Sequence, residues 1–170
     1  MKLRPNYSRE RGETAVPLRA RWRARWRTLA KVLGGLLVLM WLLEIADYAA
    51  FNHKLDSWGI APRQARGLLG IPLAPLLHGS LEHIAANTIP LLVLGGLVLW
   101  GSIRRFAVVS LAIVLISGLA VWLLGRGGRT HLGASGLVFG YFGYLIMRFY
   151  FDRSLGSLFA AALATLLYGG

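Results

Sequence analysis

The chain has 170 residues, enough for about one domain; 56% of them are hydrophobic and only 15% are charged. A soluble domain of this size needs a polar surface that this composition cannot supply. The absence of cysteine excludes disulfides, thiolate nucleophiles and thiolate metal sites. The net charge of +12 alone would suggest nucleic acid, but the basic residues flank apolar segments. The composition predicts an all-α integral membrane protein with no nucleic-acid partner.

The first part of the chain, residues 1–28, is a basic segment without an apolar core, and we predict a mostly disordered cytoplasmic arm there. Ten of the 19 basic residues lie within the first 31 positions. Trp22 and Trp26 are four residues apart among arginines, so on a helix they share one face that suits an anionic headgroup layer. The alternative is a solvated positive flank that only sets the topology.

Five apolar segments follow and predict a polytopic helical bundle over residues 29–170. They cover residues 29–51, 84–103, 106–125, 132–147 and 154–170. Because roughly 20 residues span a bilayer core, the first three segments are long enough and the last two are marginal. Small residues recur at three- and four-residue spacing along the fourth segment and predict close packing at the centre of the bundle; they are Gly133, Gly136, Gly140 and Gly143.

The basic residues also predict the orientation of the chain. With the arm in the cytoplasm, 14 basic residues lie inside and 5 outside, which satisfies the positive-inside rule. The loop over residues 52–80 is then outside. It alternates helix breakers with apolar residues, so we expect it to lie in the outer interface and pack on the helices. The absence of a transit peptide favours a prokaryotic plasma membrane.

Polar residues that are costly in a membrane form two groups at the outer helix ends. One group, His78, His83 and Asn87, opens the second segment, and the other, His131 and Ser135, opens the fourth. The topology places both groups at the same shallow depth and predicts one site that opens outward. Two acidic residues near the outer end of the first segment are expected to anchor the loop by hydrogen bonds; they are Glu44 and Asp47.

Serine, histidine and asparagine side chains, as found in these two polar groups, suit acyl transfer. A serine hydroxyl needs a base to become a nucleophile, and the developing oxyanion needs hydrogen-bond donors. Ser135, between glycines at a helix start, offers a hydroxyl and a free N–H, while His83 and Asn87 offer side-chain donors. Alternatively, the small residues serve only packing and the His83–Asn87 pair is a structural hydrogen bond.

The spacing His78-x4-His83-x3-Asn87, followed by Gly133-x-Ser135-Gly136, resembles the rhomboid family of intramembrane serine proteases. The similarity extends through the outer loop and covers roughly residues 29–170. It includes Gly59-Ile-Ala-Pro-Arg63, Gly67-Leu-Leu-Gly-Ile71 and Leu76-Leu-His78-Gly-Ser.

The resemblance implies roles for individual residues. Ser135 would be the nucleophile, and His83 and Asn87 would form the oxyanion hole with the Ser135 N–H. His78 would support the site by hydrogen bonding, as Gly133 and Gly136 would by their small size. Phe139 matches an aromatic position, often Tyr in the family, that packs against the catalytic histidine.

The family takes its general base from a histidine on a sixth helix, in a Gly-His context. This sequence ends at Gly170, after the fifth segment. We therefore expect a fragment of a six-helix enzyme, with a natural five-helix relative as the alternative. Within the chain, His131 and His78 are weak candidates for the base.

The function predicted is an intramembrane serine endopeptidase that cleaves transmembrane proteins near the outer membrane face. The alternative is a catalytically inactive rhomboid-like protein that binds membrane clients. A channel lined by the same polar residues is disfavoured, because those residues lie at one end of the bundle. No cofactor and no metal site are expected, since the histidines are few and no carboxylate–histidine cluster is apparent.

Overall fold

The computed structural model describes residues 17–152 and residue 162. These residues form a helical bundle with five main helices: α1 (Leu18–Phe51), α2 (Ala65–Leu73), α3 (Leu81–Gly101), α4 (Ile103–Leu124) and α5 (Ser135–Asp152). Three of them, α1, α3 and α4, are long and apolar enough to cross a membrane. The fifth predicted segment, 154–170, lies outside the described residues apart from residue 162.

The helix α1 begins at Leu18, well before the start predicted at residue 29. Residues 18–28 are therefore helical, whereas the sequence predicted a mostly disordered arm there. It contains two five-residue π-helical segments, Ala30–Gly34 and Asp47–Phe51. Aromatic contacts hold its first turns. The rings of Trp22 and Trp26 meet Trp100 of α3 edge to face, with centroids 5.3 and 5.5 Å away.

The helix α5 packs between α3 and α4 and supplies much of the buried core. Its Tyr141 is fully buried, and the phenol oxygen lies 2.6 Å from the Ser110 hydroxyl of α4. Gly140 passes so close to Ile113 that a Cβ would not fit. The predicted glycine packing is confirmed at Gly140, whereas a Cβ at Gly143 would meet nothing within 4 Å in the described part of the chain.

The outer loop packs on the end of α4, as its apolar character predicted. The Arg63 guanidinium donates to the carbonyls of Leu123 and Gly125, both at 3.0 Å, where the exposed carbonyls of a helix end attract cations. The Trp122 indole donates to the Gln64 carbonyl at 2.9 Å. These bonds fix α2, which lies in the same loop, against the end of the bundle where α4 terminates.

The loop also holds the segment that leads into α5. Ile60 and His131 exchange two backbone hydrogen bonds of 2.8 and 2.9 Å, and the Gly133 N–H donates to the Ala74 carbonyl at 2.8 Å. Because residues 131–133 are paired in this way, they do not join the helix. The helix α5 therefore begins at Ser135 rather than at the predicted residue 132.

Candidate active site

Ser135 is the first residue of α5. The Val138 N–H donates to the Ala134 carbonyl at 3.0 Å, so the helical hydrogen bonds begin just after Ser135 and leave the N–H groups of the first turn without helical partners. Among the described residues, no side chain is hydrogen-bonded to the Ser135 hydroxyl. The residue thus presents a hydroxyl and a backbone donor from the same position.

His83, in the first turn of α3, lies against the backbone that precedes Ser135. A Cβ placed on Gly133 would lie 2.6 Å from Cε1 and 2.8 Å from Nε2 of the imidazole. Gly133 also has a φ of +114°, a backbone conformation that favours glycine. Glycine at this position therefore allows the imidazole to lie against the backbone two positions before Ser135.

Asn87 lies one helical turn beyond His83 and is buried, with 6% of its surface exposed. Its Nδ2 donates to the His83 carbonyl at 2.9 Å. An amide group has two N–H donors, so this bond leaves the second one free to act elsewhere. The bond also ties the Asn87 side chain to the turn that carries His83.

His78, just before α3, is 1% exposed and contacts both parts of the site. Its Nε2 accepts a hydrogen bond of 3.3 Å from the Ala134 N–H, and its ring centroid lies 5.2 Å from that of His83. Burial, with a contribution from the His83 charge, lowers the pKa of His78 to about 4. His78 is therefore neutral at pH 7 and acts as an acceptor that positions the residue before Ser135.

A cavity of about 400 Å³ opens between α2, α4 and α5. Its lining includes five residues that the sequence singled out: His83, His131, Gly133, Ser135 and Gly136. Ser117 of α4 also lines it and was not expected from the sequence. The Oγ of Ser117 lies 3.1 Å from a Cβ placed on Gly136, a proximity that only the structure reveals.

Phe139 lies apart from this group. Its side chain is 68% exposed in the described structure, whereas the buried aromatic residue of the same helix is Tyr141. The expected ring packing of Phe139 therefore has no partner histidine among the described residues.

None of the four histidines of the chain is hydrogen-bonded to Ser135 in the described structure. His131 comes nearest in sequence, but its Nε2 lies 3.2 Å from the Arg126 carbonyl and its backbone pairs with Ile60. His53 lies beside Asp56 at the end of α1. His131 and His53 are thus bonded to other groups in the described structure.

The fold and the site together define a helical membrane protein with a serine at a helix start, beside a cavity that a histidine also lines. The chain belongs to the rhomboid family, because residues 65–169 match the Rhomboid domain. An uncharacterized protein of Mycobacterium tuberculosis is 36% identical over 153 residues, which are 87% of this chain and 63% of that protein. One of Mycobacterium leprae is 35% identical over 153 residues, 87% of this chain and 60% of that protein.

The chain thus spans less than two thirds of the length of these curated relatives. No solved structure matched it significantly.

Proposed function

We propose that this protein is an intramembrane serine endopeptidase that hydrolyses peptide bonds of transmembrane proteins, with Ser135 as the nucleophile. The observation that carries the proposal is that Ser135 and His83 line the same cavity, with the His83 ring against Gly133. The serine oxygen would attack the carbonyl carbon of the scissile bond. The negative charge would then develop on the carbonyl oxygen.

Three donors support stabilisation of that oxyanion. The Ser135 N–H is free at the start of α5, and the imidazole of His83 lines the cavity. Asn87 is not among the residues that line the cavity, but it retains one amide N–H beyond its bond to the His83 carbonyl. Preorganised donors of this kind supply much of the rate enhancement in acyl transfer, about 10²–10³-fold for one donor. Gly133 and Gly136 would contribute by keeping the space around the serine open.

The proposal requires a general base, since none of the four histidines of the chain is hydrogen-bonded to Ser135 in the described residues and His83 is assigned to the oxyanion hole. The family resemblance assigns that role to a histidine on a sixth helix. The matched stretch covers 63% and 60% of the two curated relatives, so those proteins are long enough to include such a helix. The same histidine would supply the ring partner that Phe139 lacks.

The substrates we propose are single-span membrane proteins cut near their outer ends. Arg105 and Arg148 lie near Gly101 at one end of the bundle, while the cavity lies at the other. By the positive-inside rule the arginine end faces the cytoplasm, as does the amino terminus, and we place the protein in the plasma membrane. Because backbone bonds in a membrane helix are satisfied internally, substrates should carry helix-weakening residues near the cut.

The test uses the complete gene product in liposomes with a model single-span substrate. Ser135→Ala should abolish cleavage. The matched control is Ser117→Ala, which removes another hydroxyl of the same cavity, one that donates to the Ile113 carbonyl at 2.7 Å. It should retain cleavage within a fewfold. Undiminished cleavage by Ser135→Ala would refute the proposal.

The second candidate is a protein that binds membrane clients without cutting them. It is favoured by the unpartnered hydroxyl of Ser135 in the described residues. A fluorophosphonate probe separates the two functions, because it reacts only with an activated serine. Labelling at Ser135 supports the protease, whereas client co-purification that survives Ser135→Ala, with no labelling, supports the binding protein.

A further inference from the structure

A cluster of metal-ligating side chains lies outside the serine site, at the outer end of α1. One ligand atom from each of Asp47, His53 and Asp56 lies within 4.8 Å of the other two. Nδ1 of His53 is 3.8 Å from Oδ2 of Asp56. Asp47 is buried, whereas the side chains of His53 and Asp56 are 42% and 26% exposed. The cluster therefore has a buried floor and an opening through which an ion can enter.

The chain reverses direction to bring these side chains together. Asn52 and His53 both adopt left-handed backbone conformations, with φ of 51° and 61°. The turn is closed by the Leu55 N–H, which donates to Oδ1 of Asp47 at 3.0 Å. This bond confirms the predicted anchoring role of Asp47. The ring of Tyr48 packs against that of His53, with centroids 5.8 Å apart.

Glu44 is an independent indication that a ligand belongs here. It is 2% exposed, and its Oε1 has no hydrogen-bond partner within the described residues. It lies one helical turn before Asp47, and the charged groups that act on it are Asp56, Asp47 and His53. A buried carboxyl oxygen without a partner is costly unless a proton or a cation compensates it.

The negative charge of this cluster is poorly balanced. The contact between His53 and Asp56 is the one ion pair identified for these carboxylates in the described structure. Oδ1 of Asp56 is also buried without a partner in that part of the chain. Three carboxyl groups thus converge on one imidazole.

We propose that this cluster binds a divalent transition-metal ion, Zn²⁺ in the first instance, through Asp47, His53 and Asp56. Imidazole together with carboxylate suits zinc, whereas Ca²⁺ takes only oxygen ligands. Tetrahedral zinc bonds of about 2.1 Å place neighbouring ligand atoms about 3.4 Å apart, so the cluster needs to close only modestly. Glu44 would accept a hydrogen bond from a water molecule on the ion.

The position of the ion would connect α1 to the serine site. The Gly59 N–H donates to the Asp56 carbonyl at 3.2 Å, and Ile60 pairs with His131, close to Ser135. An ion held by Asp47 and Asp56 would therefore fasten α1 to the loop that supports the start of α5. This role is independent of whether Ser135 is catalytic.

The test is zinc binding by the complete, untagged protein in detergent, measured by equilibrium dialysis and metal analysis after chelator treatment. We expect one saturable zinc per chain. His53→Ala and Asp56→Asn should each weaken binding at least tenfold, and Glu44→Gln about tenfold. The controls are Glu82→Gln and His131→Gln, which alter an acid and a histidine outside the cluster and should leave the affinity unchanged.

His53→Ala is the decisive variant, because it truncates a partly exposed side chain and should fold normally. Zinc bound equally well by wild type and His53→Ala would overturn the proposal, as would the absence of saturable binding. Preference for Ca²⁺ or Mg²⁺ over Zn²⁺ and Mn²⁺ would also overturn it, since that preference indicates an all-oxygen site.

Discussion

The His83 imidazole lies directly against the backbone of Gly133, which leaves no room for a Cβ between them. This contact joins the first turn of α3 to the residue two positions before Ser135. It depends on glycine for two reasons, since Gly133 also has a φ of +114°. The relative position of the imidazole and the serine is therefore set at a residue that takes part in no chemistry.

Gly133→Ala should displace His83 and remove activity. The methyl group would meet the imidazole at 2.6 Å, and the positive φ adds strain of about 1–3 kcal/mol. Gly128→Ala is the matched control, because Gly128 has a φ of +77° but open space around it. Both variants should lose thermal stability, but only Gly133→Ala should lose cleavage or probe labelling at Ser135. Equal activity in the two variants would contradict this interpretation of the contact.

The buried His78 should make the protein less stable in mild acid. Its pKa is about 4 in the folded protein and 6.5 when unfolded, so between these values the unfolded chain binds more protons. Stability is thus unaffected by this group above pH 6.5 and falls as the pH drops toward 4. The full loss is about 3 kcal/mol. Protonation of Nε2 would also break its bond to the Ala134 N–H, beside the serine.

The measurement is the unfolding midpoint in detergent between pH 7.5 and pH 5. Wild type should lose stability across this range, and His78→Gln should lose less, because the amide oxygen can accept the same bond without titrating. If His78→Gln and wild type have the same slope, another group is responsible.

The sequence predicts that Ser135 and His83 converge, because the positions of both residues follow from the charge distribution and helical periodicity of the chain. The distribution of arginines predicts that both residues lie at the same end of the bundle, and helical spacing places Asn87 on the face of His83. The start of α5 is predicted three residues early because non-local pairing of His131 and Gly133 with the outer loop prevents helix formation there. Hydrophobic periodicity carries no information about such pairing.

The cluster of Asp47, His53 and Asp56 could not be predicted from the sequence for a similar reason. No metal site was expected, because the histidines are few and no carboxylate–histidine cluster is apparent in the sequence. Their convergence depends on two consecutive left-handed residues at Asn52 and His53, which are rare for residues other than glycine. Only the backbone geometry brings the side chains together.

Because α4 and α5 approach each other closely, Gly140→Ala should strongly reduce the stability of the protein. The added methyl group would overlap the Ile113 side chain, and separating the helices should cost about 1–3 kcal/mol. Gly96→Ala is the matched control, since its methyl group would meet Leu33 at an ordinary 3.8 Å. Thermal unfolding in detergent should show a clear loss for Gly140→Ala and none for Gly96→Ala. Comparable stability of both variants would mean that the helices can separate at little cost.

The stability of the first turns of α1 should depend on the ring of Trp100. This ring meets Trp22 and Trp26 edge to face, and the Arg25 guanidinium lies 5.6 Å from its centroid. Two aromatic pairs contribute about 1–3 kcal/mol together. Trp100→Leu should therefore increase local opening of this arginine-rich helix about tenfold, measured as the rate of tryptic cleavage between residues 19 and 27 in detergent. Trp58→Leu, at an exposed tryptophan of the outer loop, should leave that rate unchanged. Unaltered cleavage in Trp100→Leu would instead favour a helix held by the headgroup layer or its own propensity.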